Sequence, residues 1–272
     1  MPLELDFEEL KNSDIKSLYK FTSFDGDGYY KDLLQNFLWL SSRTGLNDPF
    51  DSQIPLRYDL CTEEQLKKKM FDILSHKVQG KIPEHLVESQ YARLRANPDF
   101  FRNNLEKAIE QTVGVFSMTQ HRENLLLWAH YAKGHTGFCI ELDSPKLNNS
   151  LDEKFIRLNM KFFLFKVNYD PKFPLINPCE VSMDEMYKMM FLTKSTDWSY
   201  EDEWRVIFLD GSNKKEPITP ECIKNIYFGL RASNDNIETS IEILKKSNPD
   251  IGLYKAVKKR DAFGLDFEKL SP

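Results

Sequence analysis

Two glutamates and an arginine stand close together near residue 200, in the stretch WSYEDEWRVIF. If this stretch is a β-strand, alternate side chains share a face, so Glu201, Glu203 and Arg205 form one row with Ile207. Carboxylates two positions apart on one face lie roughly 7 Å apart and repel each other. Arginine can offset the repulsion and orient Glu203 through paired N–H donors. The row therefore predicts a catalytic carboxylate pair at the rim of a cleft.

The opposite face of the same predicted strand is mostly aromatic, and a second interpretation exists. An edge strand also carries charges, because charged side chains block pairing with other chains. The direction of Glu203, into a cleft or into open solvent, separates the two interpretations. The residues on the opposite face are Trp198, Tyr200, Asp202, Trp204, Val206 and Phe208.

A second group of candidate residues lies in NLLLWAHYAKGHTGF, which has the pattern of a helix that Gly134 stops. At helical spacing Asn124, Trp128 and Tyr131 share a face. The alternative is an ordinary amphipathic helix that packs Trp128 and Tyr131 into the core. The histidines of this stretch have no third partner at zinc-ligand spacing, so we expect no metal site.

The third group lies in LSSRTGLNDPFD. Ser41 and Ser42 end a predicted strand, and Asn47, Asp48 and Asp51 follow in a turn. Their hydroxyl, amide and carboxylate groups suit sugar hydroxyls or an amide-bearing ring. Turn formation alone also explains Asn47 and Asp48, because both side chains can bond their own backbone.

The elements that must position these groups alternate between strands and helices. Alternating apolar patterns predict strands at SLYKFTSF, FLWLSS, GVFSMT, GFCIELD, KFFLFKVNYD, IKNIYFG, GLYKAVKK and FGLDFEKL. From residue 62 to 113, three charged stretches with helical period interrupt the strands. We therefore expect a single α+β domain over residues 1–272, with a mixed, largely antiparallel sheet core and a helical insertion over residues 62–113.

Composition excludes several function classes. The formal charge of −5 over 272 residues argues against a broad nucleic-acid footprint. The four cysteines are far apart and we expect free thiols. No apolar segment suits a membrane span or a secretory signal, so we expect a cytoplasmic protein. GxGxxG, GxxxxGK[ST] and GxSxG are all missing, which disfavours a Rossmann site, a P-loop and a nucleophile-elbow hydrolase.

The blocks LYKF, LWLSSRTGLNDPFD, LLLWAHYAKGHTGFCIELD and WSYEDEWRVIF occur in an order and spacing that resemble a bacterial family catalogued as domain of unknown function 2971. The resemblance runs from about Leu18 to Phe228. The four blocks are specific together, although each alone would not be. The family name implies no activity.

The arrangement also resembles, more distantly, ADP-ribosyltransferase-type folds. That resemblance makes Glu203 the late catalytic glutamate, Glu201 its upstream partner and Ser41 the serine that ends the second strand. Tyr19 or Lys20 would take the first-strand position, where such folds usually have His or Arg.

The resemblance implies cleavage of the bond between nicotinamide and ribose in NAD, without a metal. This reaction develops positive charge on the sugar, which a fixed carboxylate stabilises. Glu203 would be the carboxylate that stabilises this positive charge, and Glu201 would orient the acceptor. The other expected site residues would bind phosphate, sugar or ring groups of NAD: Arg205, Lys20, Ser41, Ser42, Asn47, Asp48, Tyr19, Trp128 and Tyr131.

The sequence thus predicts an NAD-dependent ADP-ribosyltransferase-like enzyme that transfers ADP-ribose to a protein or nucleic-acid acceptor, without a membrane partner. Such chemistry disables a target and would suit a toxin or an antiviral-defence effector. The main alternative is a non-catalytic module that senses a nucleotide or a peptide. A hydrolase of phosphodiester or glycosidic bonds and a purely structural partner protein also remain open.

Overall fold

The computed structural model describes residues 9–25, 28–75, 82–158 and 162–270. Its strands are β1 (Ser17–Thr22), β2 (Phe37–Leu40), β3 (Gly114–Thr119), β4 (Phe138–Asp143), β5 (Phe162–Lys166), β6 (Asn168–Tyr169), β7 (Thr193–Lys194), β8 (Glu203–Phe208), β9 (Lys214–Pro217), β10 (Ile223–Phe228), β11 (Gly252–Lys258) and β12 (Leu265–Lys269). Its α-helices are α1 (Tyr29–Leu34), α2 (Glu63–Ser75), α3 (Glu84–Ala96), α4 (Pro98–Thr112), α5 (Leu125–His130), α6 (Ser144–Leu158), α7 (Met183–Phe191) and α8 (Asn234–Ser247).

Eight of the strands form one sheet in the order β12-β11-β10-β4-β1-β3-β8-β5. Neighbouring strands are antiparallel except β10 and β11, which are parallel. Helix α8 connects that parallel pair, as expected because parallel neighbours need a long crossover. The predicted α+β class with a mixed, largely antiparallel sheet is confirmed.

Three helices, α2, α3 and α4, stand between β2 and β3, where the helical insertion was predicted. Residues 76–81 of that predicted stretch lie outside the described residues. Apolar side chains of α2 and α3 pack on each other, with Met70 against Val87 and Tyr91 in one small cluster. Within the described part of the chain, no helix is long and apolar enough to cross a membrane.

The sheet opens at its centre, between β1 and β3. Strand β1 pairs with β4 at every residue from Ser17 to Thr22. With β3 it forms one pair only, Tyr19 with Thr119, after which the two strands diverge. On its other side, β3 is paired with β8 along its whole length. This divergence leaves a gap within the sheet that side chains from both strands can line.

Side chains on the two faces of the sheet build separate cores, as strand alternation requires. The larger core contains Leu18 of β1 with Trp204, Val206 and Phe208 of β8. Ile207, from the opposite face of β8, belongs to a second core beneath α7. The predicted separation of Trp204, Val206 and Phe208 from Ile207 is therefore correct within the strand.

Strand β8 is shorter than the predicted strand and does not lie at the sheet edge. Residues Thr196–Glu201 form a 3-10 helix, and Asp202 has a left-handed backbone with φ of 42° before the strand begins at Glu203. Glu201 is therefore not in the strand row with Glu203 and Arg205, contrary to the prediction. Because β8 pairs with β3 and β5, the edge-strand interpretation is also wrong.

Candidate active site

A cavity of about 260 Å³ opens where β1 and β3 diverge. Its walls combine carboxylates, cations and apolar side chains, so it can enclose a ligand with both charged and ring groups. It is lined by Tyr19, Lys20, Phe21, Ser41, Gly45, Leu46, Asn47, Asp51, Ser117, Met118, Thr119, Leu127, Tyr131, Lys194, Glu201, Glu203 and Arg205.

Glu203 and Arg205 project from the same face of β8 and bind each other with two parallel hydrogen bonds. Arg205 Nε donates to Glu203 Oε1 at 2.7 Å, and Arg205 Nη2 donates to Oε2 at 2.9 Å. Arg205 Nη1 reaches Asp51 Oδ1 at 2.8 Å and the Phe191 carbonyl at 2.8 Å. The arginine is 0% exposed, and all five of its guanidinium N–H groups have acceptors within the protein. Arg205 therefore positions Glu203 and has no donor left for a phosphate, contrary to one role that the resemblance implied.

Lys194, on the two-residue strand β7, joins both glutamates. Its ammonium donates to Glu201 Oε2 at 2.5 Å and to Glu203 Oε2 at 3.0 Å. Asp51 Oδ2 lies 3.5 Å away. Burial alone would lower the pKa of Lys194, but the neighbouring carboxylates, Glu203 foremost, raise it above the ordinary value. The lysine therefore remains a cation at neutral pH.

The two glutamates differ in protonation behaviour, although one ammonium touches both. Burial raises the pKa of Glu201, and repulsion from Glu203 adds to the increase, against the attraction of Lys194. Burial also opposes ionisation of Glu203, but Arg205 and then Lys194 hold its pKa well below the usual range. Opposed pKa values in neighbouring carboxyl groups are typical of acid–base pairs.

Helix α5 and the 3-10 helix before β8 hold Glu201 in place. Asn124 caps α5 through its side-chain oxygen, and its amide donates to the Tyr200 carbonyl at 2.7 Å. This bond fixes the two segments together. The Tyr131 hydroxyl, just after α5, donates to Glu201 Oε1. Thr119 Oγ1 donates to the Glu201 carbonyl from β3.

Lys20 is the second lysine of the cavity, and its ammonium is available. It lies 4.8 Å from the centre of the Phe116 ring, and among the described residues no group accepts a hydrogen bond from it. Burial lowers its pKa to about 8, against the attraction of Glu203 and Glu201. At neutral pH it is a cation that still lacks an acceptor, which is the state of a group able to bind an anion.

Eight of the eleven predicted site residues line this one cavity. They are Tyr19, Lys20, Ser41, Asn47, Tyr131, Glu201, Glu203 and Arg205. These residues come from four separate stretches of the chain, so the fold brings distant groups together. Glu203 points into the cavity and not into open solvent.

The other three predicted residues do not line the cavity. Trp128 is fully buried, packs edge-on against Phe21 and donates its indole N–H to the Arg122 carbonyl. The Ser42 hydroxyl interacts with Thr44, and Asp48 accepts from the backbone N–H of Phe50. Trp128 is thus a core residue, and Asp48 stabilises the turn, as the alternative interpretations of those stretches held.

Sequence reasoning missed the two charged residues that complete the cluster, Asp51 and Lys194. Asp51 was noted only as one polar group of a turn, and nothing local indicates that it meets Arg205 across the fold. Lys194 follows the helix α7 and carries no motif. The only available signal is charge balance, because buried carboxylates need cations and Arg205 alone cannot neutralise two glutamates.

No metal centre is evident in the described part of the chain, where no three His, Cys, Asp or Glu side chains are grouped to hold an ion. The four cysteines are free thiols, as predicted.

The fold and site define an α+β protein with a buried carboxylate pair in a central gap of its sheet. Residues 127–206 match the model of a family described as a protein of unknown function, DUF2971. The matched segment runs from α5 into β8 and contains Tyr131, Lys194, Glu201, Glu203 and Arg205. No curated protein and no solved structure matches the chain.

Proposed function

We propose that this protein cleaves the nicotinamide–ribose bond of NAD and transfers ADP-ribose to an acceptor. The observation that carries the proposal is the pair Glu201 and Glu203, buried in one cavity, bridged by Lys194 and displaced in pKa in opposite directions. Reactions at a sugar C1 atom use two carboxyl groups with different protonation states in this manner.

Each glutamate has a separate role in this reaction. As the C1–nitrogen bond breaks, its electron pair leaves with nicotinamide and positive charge develops on the ribose. Glu203, ionised and held by Arg205, stabilises that charge without reorganising. Glu201 accepts the proton that the nucleophile loses as it bonds to C1. Its raised pKa brings it closer to neutral pH, where a general base is most effective.

The remaining walls suit the other parts of the substrate. The acceptor-free ammonium of Lys20 can bind a phosphate of the dinucleotide. Tyr19 and Tyr131 offer aromatic rings for the nicotinamide, and Asn47 offers an amide for its carboxamide group. Trp128 does not line the cavity, and the N–H groups of Arg205 are all bonded within the protein, so neither side chain binds the substrate in this scheme.

The test is release of nicotinamide from NAD by purified protein, followed by transfer of labelled ADP-ribose to proteins or nucleic acids of a bacterial extract. Glu203→Gln and Glu201→Gln keep side-chain size and remove the charge. We expect each to lower nicotinamide release by about 100-fold or more. Thermal melting of every variant distinguishes loss of chemistry from loss of fold.

Asp202→Asn is the matched control. This acid stands between the two glutamates, but it pairs with His121 and Lys166 and does not line the cavity. Asparagine also tolerates its left-handed backbone. The variant should retain activity. Absence of NAD cleavage by the parent protein, with an acceptor-containing extract supplied, would overturn the proposal.

A nucleotide- or peptide-sensing module without chemistry is the second candidate. It is favoured by one observation: both oxygens of Glu203 already accept hydrogen bonds from Arg205, and Lys194 adds another. Under this candidate NAD or another nucleotide raises the melting temperature, and Glu203→Gln changes affinity while no nicotinamide is released.

A role as a toxin or antiviral-defence effector follows from the same chemistry, because modification of an essential target arrests growth. Induced expression in a bacterial host should slow growth with the parent protein and with Asp202→Asn. It should have no effect with Glu203→Gln. Equal effects of all three proteins on growth would show that toxicity does not depend on the glutamate pair.

A further inference from the structure

A second cavity, of about 400 Å³, lies directly behind the first. Asp51 and Lys194 belong to the walls of both cavities, so one buried ion pair separates them. We call this second cavity the Trp198 pocket. Its wall contains Trp198, from the 3-10 helix that also carries Glu201. A group bound there is one side-chain layer from the carboxylate pair.

The Trp198 pocket has an excess of negative charge. Four aspartates and two lysines line it, and one of those lysines, Lys194, is already neutralised by the glutamates. Among the described residues, Asp48, Asp170 and Asp197 accept hydrogen bonds only from groups two residues away in the chain, at 2.9, 2.7 and 3.1 Å. Within the described residues none of the three forms an ion pair. Their combined field attracts a cation and repels phosphate.

Three aromatic side chains also line the pocket. Phe50 and Phe173 are 67% and 49% exposed, although both are large apolar side chains. Trp198 presents a ring face that already attracts the Lys194 ammonium, 5.0 Å from its centre. Aromatic faces combined with carboxylates favour a flat cation, because a guanidinium stacks on rings and pairs with carboxylates in its own plane.

An independent feature also indicates a ligand. Thr193 lines the pocket and is 4% exposed, yet its hydroxyl has no hydrogen-bond partner among the described residues. Buried hydroxyl groups are normally satisfied, since an unmade hydrogen bond destabilises the fold by about 1–3 kcal/mol. Because the hydroxyl oxygen itself has almost no exposed surface, a guanidinium in the pocket would satisfy it only after the Thr193 side chain rotates.

We propose that the Trp198 pocket binds an arginine side chain of a polypeptide acceptor. This inference rests on the proposed function and narrows the acceptor to a protein, because the charge of the pocket disfavours nucleic acid. The arginine serves as an anchor and is not the group that is modified. The surrounding carboxylates keep its guanidinium protonated, and a protonated guanidinium is a poor nucleophile. The attacking residue would belong to the same polypeptide and reach Glu201 from the neighbouring cavity.

The experiment measures binding without NAD, so that its result does not depend on catalysis. Blocked arginine, N-acetyl-arginine N-methylamide, is titrated into ¹⁵N-labelled protein while the tryptophan indole N–H signals are observed. The citrulline analogue is the matched neutral probe. The lysine analogue is the matched cation whose charged group is not planar. Trp198→Phe assigns the Trp198 signal, and the fully buried Trp128 and Trp204 provide internal references.

Arginine should shift the Trp198 signal and leave the buried references in place, with affinity about 10-fold above that of citrulline. Lysine should bind more weakly than arginine. Asp170→Asn and Asp197→Asn should each weaken arginine binding about 3-fold, while Asp250→Asn, at an exposed acid elsewhere, should not.

Equal binding of citrulline would overturn cation recognition, and equal binding of lysine would overturn the guanidinium assignment. No shift of Trp198 at millimolar arginine would overturn the site altogether. Each of these results leaves NAD cleavage to be judged by nicotinamide release alone. If the protein cleaves NAD but does not bind arginine, only the proposed arginine site is wrong. If it binds arginine but does not cleave NAD, only the proposed chemistry is wrong.

Discussion

Two buried glutamates in the same sheet solve the problem of a buried charge in different ways. Glu141, on β4, accepts hydrogen bonds from Ser17, Asn225 and Tyr227, which are all uncharged. Glu203, on β8, is held by cations that it shares with other carboxylates. Burial raises the pKa of Glu141, whereas those neutral donors and, after them, the more distant Lys224 lower it, with a net decrease. A carboxylate with its own donors needs no ligand.

The two clusters also differ in the number of charges and in their position relative to the cavities. The Glu141 cluster contains one carboxylate and lines neither of the two cavities described above. The Glu203 cluster contains three carboxylates around two cations, and the pKa of one carboxyl group, Glu201, is raised. Its members are Asp51, Glu201, Glu203, Lys194 and Arg205. Such an arrangement is a poor way to stabilise a fold, because desolvation opposes the ion pairs. Under the proposed function, this arrangement serves the reaction and not the stability of the fold.

The largest expected effect is on stability and comes from Arg205→Met. Asp51 and Glu203 would remain buried with only Lys194 between them, so we expect a loss of about 3–5 kcal/mol in the free energy of unfolding. Urea denaturation measures the loss. Lys224→Met, which removes the cation 3.4 Å from Glu141, should lose less than about 1 kcal/mol. Similar losses in the two variants would show that the clusters do not differ in charge coupling.

The next effect depends on pH and concerns Lys20. Its folded pKa is about 8, below the ordinary 10.5, so between these pH values the unfolded chain binds more protons and stability rises with pH. Lys20→Met removes this dependence. The variant should exceed the parent in stability at pH 7, by at most about 3 kcal/mol, and the difference should vanish near pH 10.5. A difference that is constant from pH 7 to 10.5 would contradict the burial of this ammonium.

The same substitution, glutamate to glutamine, made separately in the two regions gives a smaller effect on stability. Glu141→Gln loses one carboxylate acceptor and should lower the free energy of unfolding by about 1–2 kcal/mol, while nicotinamide release per folded molecule stays unchanged. Glu203→Gln should lose nicotinamide release instead. If Glu141→Gln impairs catalysis as strongly as Glu203→Gln, the distinction between a structural and a reactive carboxylate fails.

The smallest effect concerns single hydroxyl groups. Tyr131→Phe removes a hydrogen-bond donor to Glu201, and Tyr227→Phe removes a hydrogen-bond donor to Glu141. Each should lower stability by about 1 kcal/mol. Loss of a donor to the ionised carboxylate raises the pKa of Glu201 further, so the acid limb of nicotinamide release should move to higher pH in Tyr131→Phe only. An unshifted limb would remove Glu201 from its role as base.

Much of the fold was accessible from local patterns. The alternation in EWRVIF placed Trp204 and Arg205 on the correct faces, and most strands were found because each pairs over four residues or more. Helix α6 escaped prediction, although it spans fifteen residues, because its apolar positions in SPKLNNSLDEKFIRL are diluted by charged and polar ones. Gly134 has the expected left-handed backbone, but α5 already ends at His130.

The residues of the candidate site could be predicted from the sequence only in part. Glu203 and Tyr131 could be found because their stretches combine charge with aromatic residues. Lys194 could not, since a two-residue strand has no measurable period and its partners come from other segments. Trp128 shows the converse error: a large aromatic on a helix near polar residues suggested a ligand contact, but the core needs such side chains more often than a ligand does. Sequence pattern locates elements better than it locates contacts between them.

The divergence of β1 from β3 has a consequence for recognition. Main-chain N–H and C=O groups of a strand point alternately to its two neighbours. Beyond the pair Tyr19–Thr119, those of β1 that face β3 have no ladder partner there, so the sheet contains an interior edge at the cavity. An extended polypeptide or a carboxamide can pair with such an edge through the backbone alone. That part of recognition would survive substitution of any single side chain in the cavity.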